Sequence, residues 1–438
     1  MEFGFVCSKD LALSCDLYEL TMAQIYFEKG MNEKAVFDFF VRPDPKRSFY
    51  LFAGLEQLLF FLEHVRFGDE AISYLERSGK FSADFLEYLR DFRFKADVRS
   101  FEEGEIFLAG EPVVSVEAPL IQAQIVETFL INILHYSILV ATKAARCFIA
   151  AKETKLVDFG LRRAHGADAG MKAARNSYLA GFSGTSNMLA GKKFGIPVFG
   201  TMAHSFVLAH DTELEAFIDF LRYYGENAVL LVDTYDTLEG VKRAIEAVRL
   251  VGLSRFKGIR LDSGDIVTLS KEARKMLDEA GFSDAIILVS GGLNEYKIEQ
   301  YLLQGAPVDG WGVGTELAVS ADMPYLDCAY KLVEYAGKPK MKKSVRKVTL
   351  PGKKRVCRKN GLHDLITLYD EKCEEEDKLR SAMKNGSLAA PLPTLEEIRQ
   401  RAVENIHSLP TDMKNLRSDK PRLPRLSTKL KELMAKIG

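Results

Sequence analysis

From Lys155 onward, short apolar runs alternate with amphipathic stretches of helical spacing, and this alternation constrains the fold more than any other feature. The runs are Leu156–Phe159, Pro197–Phe199, Ala228–Val232, Gly258–Leu261, Ile286–Val289 and Gly310–Val313. Helical stretches separate them: Ala167–Ala180, Glu213–Tyr223, Leu238–Val251, Val267–Ala280 and Glu295–Leu303. A strand followed by a helix, repeated, can return only to a parallel neighbour, so the pattern predicts a parallel α/β sheet. Roughly six such units in about 170 residues favour an irregular barrel short of eight perfect repeats.

Flanking segments read differently. A strand is expected at Val36–Val41, helices at Gly54–Val65 and Phe81–Phe92, and short strands at Glu105–Ala109 and Pro112–Val116. One long helix is expected from about Ile121 to about Lys152. After Leu326 the alternation stops. Cys328–Tyr335 reads as a strand, Gly337–Lys359 is basic, Glu371–Asp377 is acidic, and the end reads as a helical tail broken by Pro421 and Pro424. Three segments are therefore expected: 1–150 (α+β with the linking helix), 151–326 (barrel) and 327–438 (returning segment and tail).

Several function classes are disfavoured. A net charge of -1 lacks the imbalance of a dedicated nucleic-acid or membrane-surface binder. The basic run 338–359 holds no aromatic residue to stack on bases, and is read as a solvated strand pair. Ile125–Ala141 is apolar enough to raise a membrane span. Glu127, Asn132, His135 and Lys143 recur through and after it, so a buried helix is the better reading. The residues to Asp10 show no charged start followed by a long apolar run, so no secretory leader is expected. The cysteines (Cys7, Cys15, Cys147, Cys328, Cys357 and Cys373) form no CxxC pair and are too sparse for a disulfide framework, which suits a reduced cytoplasmic setting without zinc.

In a parallel barrel the loops leaving the strands meet at one end, and chemistry collects there. Every strand candidate is followed at once by polar or glycine residues: Gly160, Arg162, Arg163 and His165; Gly200, Thr201, His204 and Ser205; Asp233 to Asp236; Asp262 to Asp265; Ser290 to Gly292; and Gly314 to Glu316. The two adjacent glycine turns, Ser290-Gly291-Gly292 and Gly312-Val313-Gly314-Thr315, admit two readings. Either they are tight structural turns, or they form a phosphate cradle in which backbone N–H groups approach an anion. Asp262 and Asp265 suit magnesium or sugar hydroxyls, although Asp265 before Ile266 is equally suited to capping a helix. Phe159 beside Arg162 and Arg163 would suit a planar carboxylated ring, the alternative being a surface arginine pair.

Seven stretches together resemble the nicotinate phosphoribosyltransferases. They are Asp16-Leu17-Tyr18-Glu19-Leu20-Thr21-Met22, Phe37-Asp38-Phe39-Phe40-Val41-Arg42, Phe52-Ala53-Gly54-Leu55-Glu56, Phe159-Gly160-Leu161-Arg162-Arg163-Ala164, Gly184-Thr185-Ser186-Asn187, Gly200-Thr201-Met202-Ala203-His204-Ser205 and Ile259-Arg260-Leu261-Asp262-Ser263-Gly264-Asp265. The likeness continues through Tyr330-Lys331-Leu332-Val333 to Pro351-Gly352. It implies an irregular α/β barrel of the type II phosphoribosyltransferase kind, with a second α+β domain built from N- and C-terminal segments. It also implies a homodimer with shared active sites and a cytoplasmic enzyme of NAD biosynthesis and salvage. The implied ligands are nicotinate, phosphoribosyl pyrophosphate, Mg2+ and ATP, with ATP hydrolysis coupled to the transfer. Neither nucleic acid nor membrane is an expected partner.

Carried onto this chain, the resemblance has Phe159 and Tyr18 from the neighbouring subunit sandwiching the pyridine ring. Arg162 and Arg260 lie near the ring carboxylate and pyrophosphate, and Asp262 holds the ribose hydroxyls, with Asp262 and Asp265 as candidate Mg2+ ligands. Ser290, Gly291, Gly292, Gly314 and Thr315 cradle the 5′-phosphate, and His204 is the site of transient phosphorylation. Nicotinamide-using relatives carry aspartate where this chain has Ser186, so the acid is the expected ring. The alternatives are a quinolinate or nicotinamide phosphoribosyltransferase. A Schiff-base barrel enzyme is disfavoured because no lysine directly follows a strand candidate.

Overall fold

The protein's structure, a computed structural model, describes residues 6–344, 347–359, 361–418 and 420–437. The chain forms two compact units, one made of the residues up to Leu139 with those from Tyr325, the other of Val140–Pro324.

The contiguous unit holds six parallel strands: β1 (Lys155–Asp158), β2 (Gly184–Thr185), β3 (Val229–Leu231), β4 (Gly258–Leu261), β5 (Ile286–Ser290) and β6 (Gly310–Val313). Their order across the sheet is β2-β1-β6-β5-β4-β3. A single parallel bridge from Thr185 to Val198 extends the β2 edge. No ladder among the described residues joins that edge to β3, so the barrel is irregular and open in its hydrogen bonding. The interior faces carry Val, Leu and Ile, and the chain's one tryptophan, Trp311, is fully buried with its indole N–H donating to Thr154 at 2.7 Å.

One expected strand is corrected here. Pro197–Phe199 supplies only the Val198 bridge, and its place beside β1 is taken by Gly184–Thr185. That segment is too short and polar to read as a strand. It pairs because Asp158 draws it in: Thr185 Oγ1 donates to Asp158 Oδ2 at 2.7 Å, and the Ser186 N–H donates to the Asp158 carbonyl.

Behind the strands, Lys143 and Arg146 both reach Glu295, at 2.5 and 2.9 Å, with all three side chains almost wholly excluded from water. Burying charge is tolerated when it is paired this closely.

The other unit is built around a seven-stranded sheet that both ends of the chain share. Within it Lys34–Val41 is flanked antiparallel by Val114–Pro119 from the N-terminal segment and by Cys328–Tyr335 from the C-terminal one. Arg380–Lys384 adds to Asp97–Ser100 on the far side. A smaller four-stranded sheet contains Lys354–Lys359 and His363–Leu368. Helices follow the apolar spacing read from the sequence, at Leu55–His64 and Ala83–Arg90.

The expected long helix is interrupted at Val126, giving Leu120–Ile125 and Glu127–Ala151. The longer piece is apolar enough in length and composition to span a membrane, but 78% of its apolar window is buried inside the protein. The basic run is not simply solvated. Lys354 is buried against Asp38, and Arg358 forks onto Asp364, while Val345 and Arg346 lie outside the described residues. One disulfide, Cys357–Cys373, also departs from the reading of uniformly free thiols. Cys357 is in register with Asp377 on the neighbouring strand, which brings the loop carrying Cys373 back over it.

Candidate active site

A cleft of about 450 Å³ opens where the barrel strands end. Phe159, Arg162, Ser186, Arg260, Asp262, Ser290, Gly291, Gly292, Gly314 and Thr315 all line it. The sequence placed most of these at or just past a strand end, Ser186 being named only through the family resemblance, and the convergence of the loops brings them together.

One end of the cleft is aromatic and cationic. Phe159 follows β1, and its backbone N–H donates to the Val313 carbonyl at 2.9 Å. The ring lies on Gly312, where any Cβ would come within 2.5 Å of it, so the absence of a side chain at 312 is what seats the ring. Asp158, immediately before, is fully buried and fixes both sides of this corner, accepting from the Gly160 N–H at 2.8 Å and from Thr185. Burial pushes its carboxyl above the usual range, and those two hydrogen bonds oppose the rise. Arg162 and Arg163 sit in the following turn, solvent-exposed and with no ion-pair partner among the described residues. Their charge is therefore available to an anionic ligand.

The middle of the cleft is a carboxylate relay. Arg260 donates to Thr201 Oγ1 at 2.7 Å and to the Met202 carbonyl at 3.2 Å, and reaches Asp262 Oδ1 at 3.3 Å. Asp262 Oδ1 also accepts from the Ser290 hydroxyl. Behind them, buried Asp233 accepts from the Asp262 N–H at 2.9 Å and from the Ser263 hydroxyl at 2.6 Å. Its second oxygen has no hydrogen-bond partner among the described residues and faces His204 Nε2 at 4.0 Å. The other ring nitrogen, His204 Nδ1, is 3.1 Å from Thr234 Oγ1. His204 does not line the cleft itself, but Asp233 connects it to the loop that does.

The far end is the pair of glycine turns. Gly291 has φ +93°, and a Cβ there would collide with the Asp262 carbonyl at 2.0 Å, so only glycine lets the two strand ends approach. The turns are tied together by Asn294 Nδ2 donating to Glu316 at 3.4 Å, with Lys297 reaching the Gly292 carbonyl at 2.8 Å.

Besides His204, two expected residues are not in this cleft. Asp265 caps the helix Ile266–Glu279, accepting from Thr268 Oγ1 at 2.7 Å, so its carboxylate serves that helix. The sequence left capping and metal binding equally open for Asp265, and the cap is the role observed. Tyr18 belongs to the other unit, on the helix Leu17–Glu28, where its side chain is exposed. Conversely, Thr201 and Asp233 were named only among the strand-end residues and given no role, and Asp158 was not named. The signal available was a polar residue at or just past a strand end, which does not distinguish a ligand-facing group from one that braces it.

The chain matches the nicotinate phosphoribosyltransferase N-terminal domain over residues 13–135, the nicotinate phosphoribosyltransferase family over 154–369, and the corresponding C-terminal domain over 362–434. It is 46% identical over 413 residues to a nicotinate phosphoribosyltransferase of Mycobacterium tuberculosis, covering 92% of this chain and 89% of the relative. It is 44% identical over 396 residues to the Bacillus subtilis enzyme of the same name, covering 87% and 80%. The crystal structure of human nicotinic acid phosphoribosyltransferase superposes with a TM-score of 0.84 at 29% identity, covering 97% of this chain and 99% of that one. With the cleft geometry and these likenesses together, the chain belongs to the nicotinate phosphoribosyltransferase family.

Proposed function

We propose that this cleft performs the family's transfer of a phosphoribosyl group from phosphoribosyl pyrophosphate to nicotinate, coupled to ATP hydrolysis, with each side chain in a defined role. The observation that carries the reading is the order of chemistry along one cleft: a flat ring beside unpaired guanidinium groups, then a fixed carboxylate, then two glycine turns. A planar carboxylated ring, a ribose and a phosphate would meet these in that order.

In this reading Phe159 stacks on the pyridine ring and Arg162 faces its carboxylate. Asp262, held by Ser290 and Arg260, accepts from the ribose hydroxyls. Backbone N–H groups of the loops at Gly291, Gly292, Gly314 and Thr315 receive the 5′-phosphate. The bond from ribose C1′ to pyrophosphate stretches as the ring nitrogen closes on C1′, so positive charge grows on the sugar and negative charge on the leaving group. Arg260 stabilises the latter. The ring nitrogen already carries a lone pair, so positioning accounts for most of the rate and no general base is required.

For Mg2+, the donor set is sparse. No cluster of three acidic, histidine or cysteine side chains that could hold a metal occurs among the described residues. Asp262 alone, with diphosphate oxygens, fits the usual habit of magnesium of combining one or two carboxylates with phosphate ligands. When bound, the metal would neutralise charge on the pyrophosphate.

Ser186 lines the ring end of the cleft without a charge to repel a carboxylate, which supports the acid over the amide. His204, anchored through Thr234 and facing Asp233, is the residue placed to accept the γ-phosphoryl of ATP, with ADP as the leaving group. Met188, Leu189, Val198 and Phe199 are exposed apolar side chains on neighbouring segments past Ser186, and they support a homodimer in which Tyr18 of the partner subunit would close over the ring. A cytoplasmic location belongs to the same reading.

The test is to incubate pure protein with nicotinate, phosphoribosyl pyrophosphate, Mg2+ and ATP and to follow nicotinate mononucleotide and ADP together. Stoichiometric appearance of both is expected, and His204→Ala should keep basal transfer while losing ATP stimulation. Preference for quinolinate or nicotinamide as the ring would overturn the reading, and full ATP stimulation in His204→Ala would overturn the role of His204.

A further inference from the structure

The glycine turns at the far end of the cleft carry no positive side chain of their own. Among the described residues, the cations that line the cleft are Arg162, Arg163 and Arg260. The first two stand in the turn after β1, at the ring end, and Arg260 is held in the middle by Thr201 and Asp262. An acid, Glu316, is tied to the turns through Asn294. A phosphate dianion arriving there would lie beside a carboxylate with only backbone N–H groups to hold it.

Lys297 answers this shortage. It sits in the first turn of the helix Glu295–Leu303, whose N-cap Asn294 accepts from the Lys297 N–H at 3.0 Å. A cation there opposes the helix dipole, and an acid or its amide is what capping favours at that position. The side chain is exposed and has no carboxylate partner among the described residues, so neither burial nor an ion pair accounts for its charge. Its ammonium donates to the Gly292 carbonyl at 2.8 Å. The same nitrogen stands 3.4 Å from the point where a Cβ on Gly292 would be, and no other described side chain lies within 4 Å of that point. The ammonium therefore overlooks the open side of the turn, with two of its three protons uncommitted among the described residues.

From this geometry we infer that Lys297 is a substrate-binding residue, whose ammonium gives a charged hydrogen bond to the 5′-phosphate of phosphoribosyl pyrophosphate. The inference rests on the reading that the glycine turns receive that phosphate. The flexible four-carbon stem lets the head keep one proton on the Gly292 carbonyl and bring another to a phosphate oxygen lying against the loop N–H groups. The 5′-phosphate is unchanged by the transfer, so the contact is equally strong in the ground state and the transition state. It serves binding and not turnover.

Ribose 5-phosphate is the probe, because it carries the 5′-phosphate without the pyrophosphate. It and pyrophosphate are each titrated by calorimetry, with Mg2+ present, into full-length wild type, Lys297→Gln and Lys297→Arg. Glutamine can still donate to the Gly292 carbonyl but has no charge, and arginine keeps the charge. Lys297→Gln should bind ribose 5-phosphate about tenfold more weakly or worse, and Lys297→Arg within about threefold of wild type. Pyrophosphate should bind all three alike. In steady-state assays Lys297→Gln should raise KM for phosphoribosyl pyrophosphate by a similar factor, with the loss on KM and not on kcat. Added salt should narrow the gap between wild type and Lys297→Gln, because the contact is exposed. Ribose 5-phosphate binding in Lys297→Gln equal to wild type would overturn the inference and leave the cleft reading standing. Equal weakening of pyrophosphate, or a fall in kcat with KM unchanged, would make Lys297 a brace of the turn and overturn it as well. Failure of wild type to bind ribose 5-phosphate would overturn the cleft reading itself, and the inference with it.

Discussion

Gly312→Ala isolates the seating of Phe159 from its chemistry. The added Cβ would stand 2.5 Å from Cδ2 and Cε2 of the Phe159 ring, where ordinary contact begins at 3.4 Å. β6 is fixed on both sides by ladders to β5 and β1, so the backbone cannot retreat and the ring must yield by about 1 Å. Overpacking of this kind costs about 1–3 kcal/mol of stability. Its effect on transfer is larger in proportion, because a misplacement of about 1 Å in a positioned group can cost about 100-fold in rate. Initial rates against nicotinate, at saturating phosphoribosyl pyrophosphate, should show kcat/KM lowered about 10- to 100-fold in a protein that still unfolds cooperatively. In a Phe159→Ala background the same change should have little further effect, because there is no ring left to displace. Fully additive losses in the double variant would refute the argument. Gly200→Ala is the stability control: it also lines the cleft, but its Cβ would meet nothing within 4 Å, so unfolding should be unchanged.

Two further expectations concern charge. Ser186→Asp places a carboxylate at the ring end of the cleft, and the like-charge cost of about 3 kcal/mol should shift preference from nicotinate toward nicotinamide by about 100-fold; competition between the two rings measures it, and an unchanged preference contradicts the assignment of Ser186. Glu19 is fully buried, and burial pushes its carboxyl up to about 7, opposed by hydrogen bonds from Thr128. A carboxyl whose folded value lies above its unfolded one stabilises the fold while protonated and loses that contribution as pH rises through about 7. Glu19→Gln removes the loss, so relative to wild type it should gain up to about 3 kcal/mol in denaturant unfolding at pH 8 over pH 5. An equal difference at both pH values would show that Glu19 does not titrate in that window.

How much of this was legible beforehand depended on what each residue had to do. Strands such as Ile286–Ser290 announce themselves, because a buried parallel strand must be continuously apolar and must end where the polar loop begins. Gly184–Thr185 could not be read that way, since its place is set by a hydrogen bond to Asp158 from elsewhere in the chain. The cleft residues were legible because loops at one end of a barrel converge whatever their sequence. Asp265 was not resolved, for capping a helix and holding a metal ask for the same side chain, and only position separates them. Asp233 was passed over for the opposite reason. It is a brace beneath the site, and nothing local distinguishes a brace from a surface acid. Likewise Cys357 and Cys373 meet only through strand pairing.

The sheet shared by the two ends of the chain has a consequence for synthesis. Val140–Pro324 contains its own strand partners and can condense while the ribosome is still working. Lys34–Val41, made earlier, lacks one neighbour until Cys328–Tyr335 has emerged, hundreds of residues later. For that interval a long, apolar strand edge stands bare, which makes the nascent N-terminal segment the part of this molecule most dependent on protection by chaperones and most prone to wrong pairing.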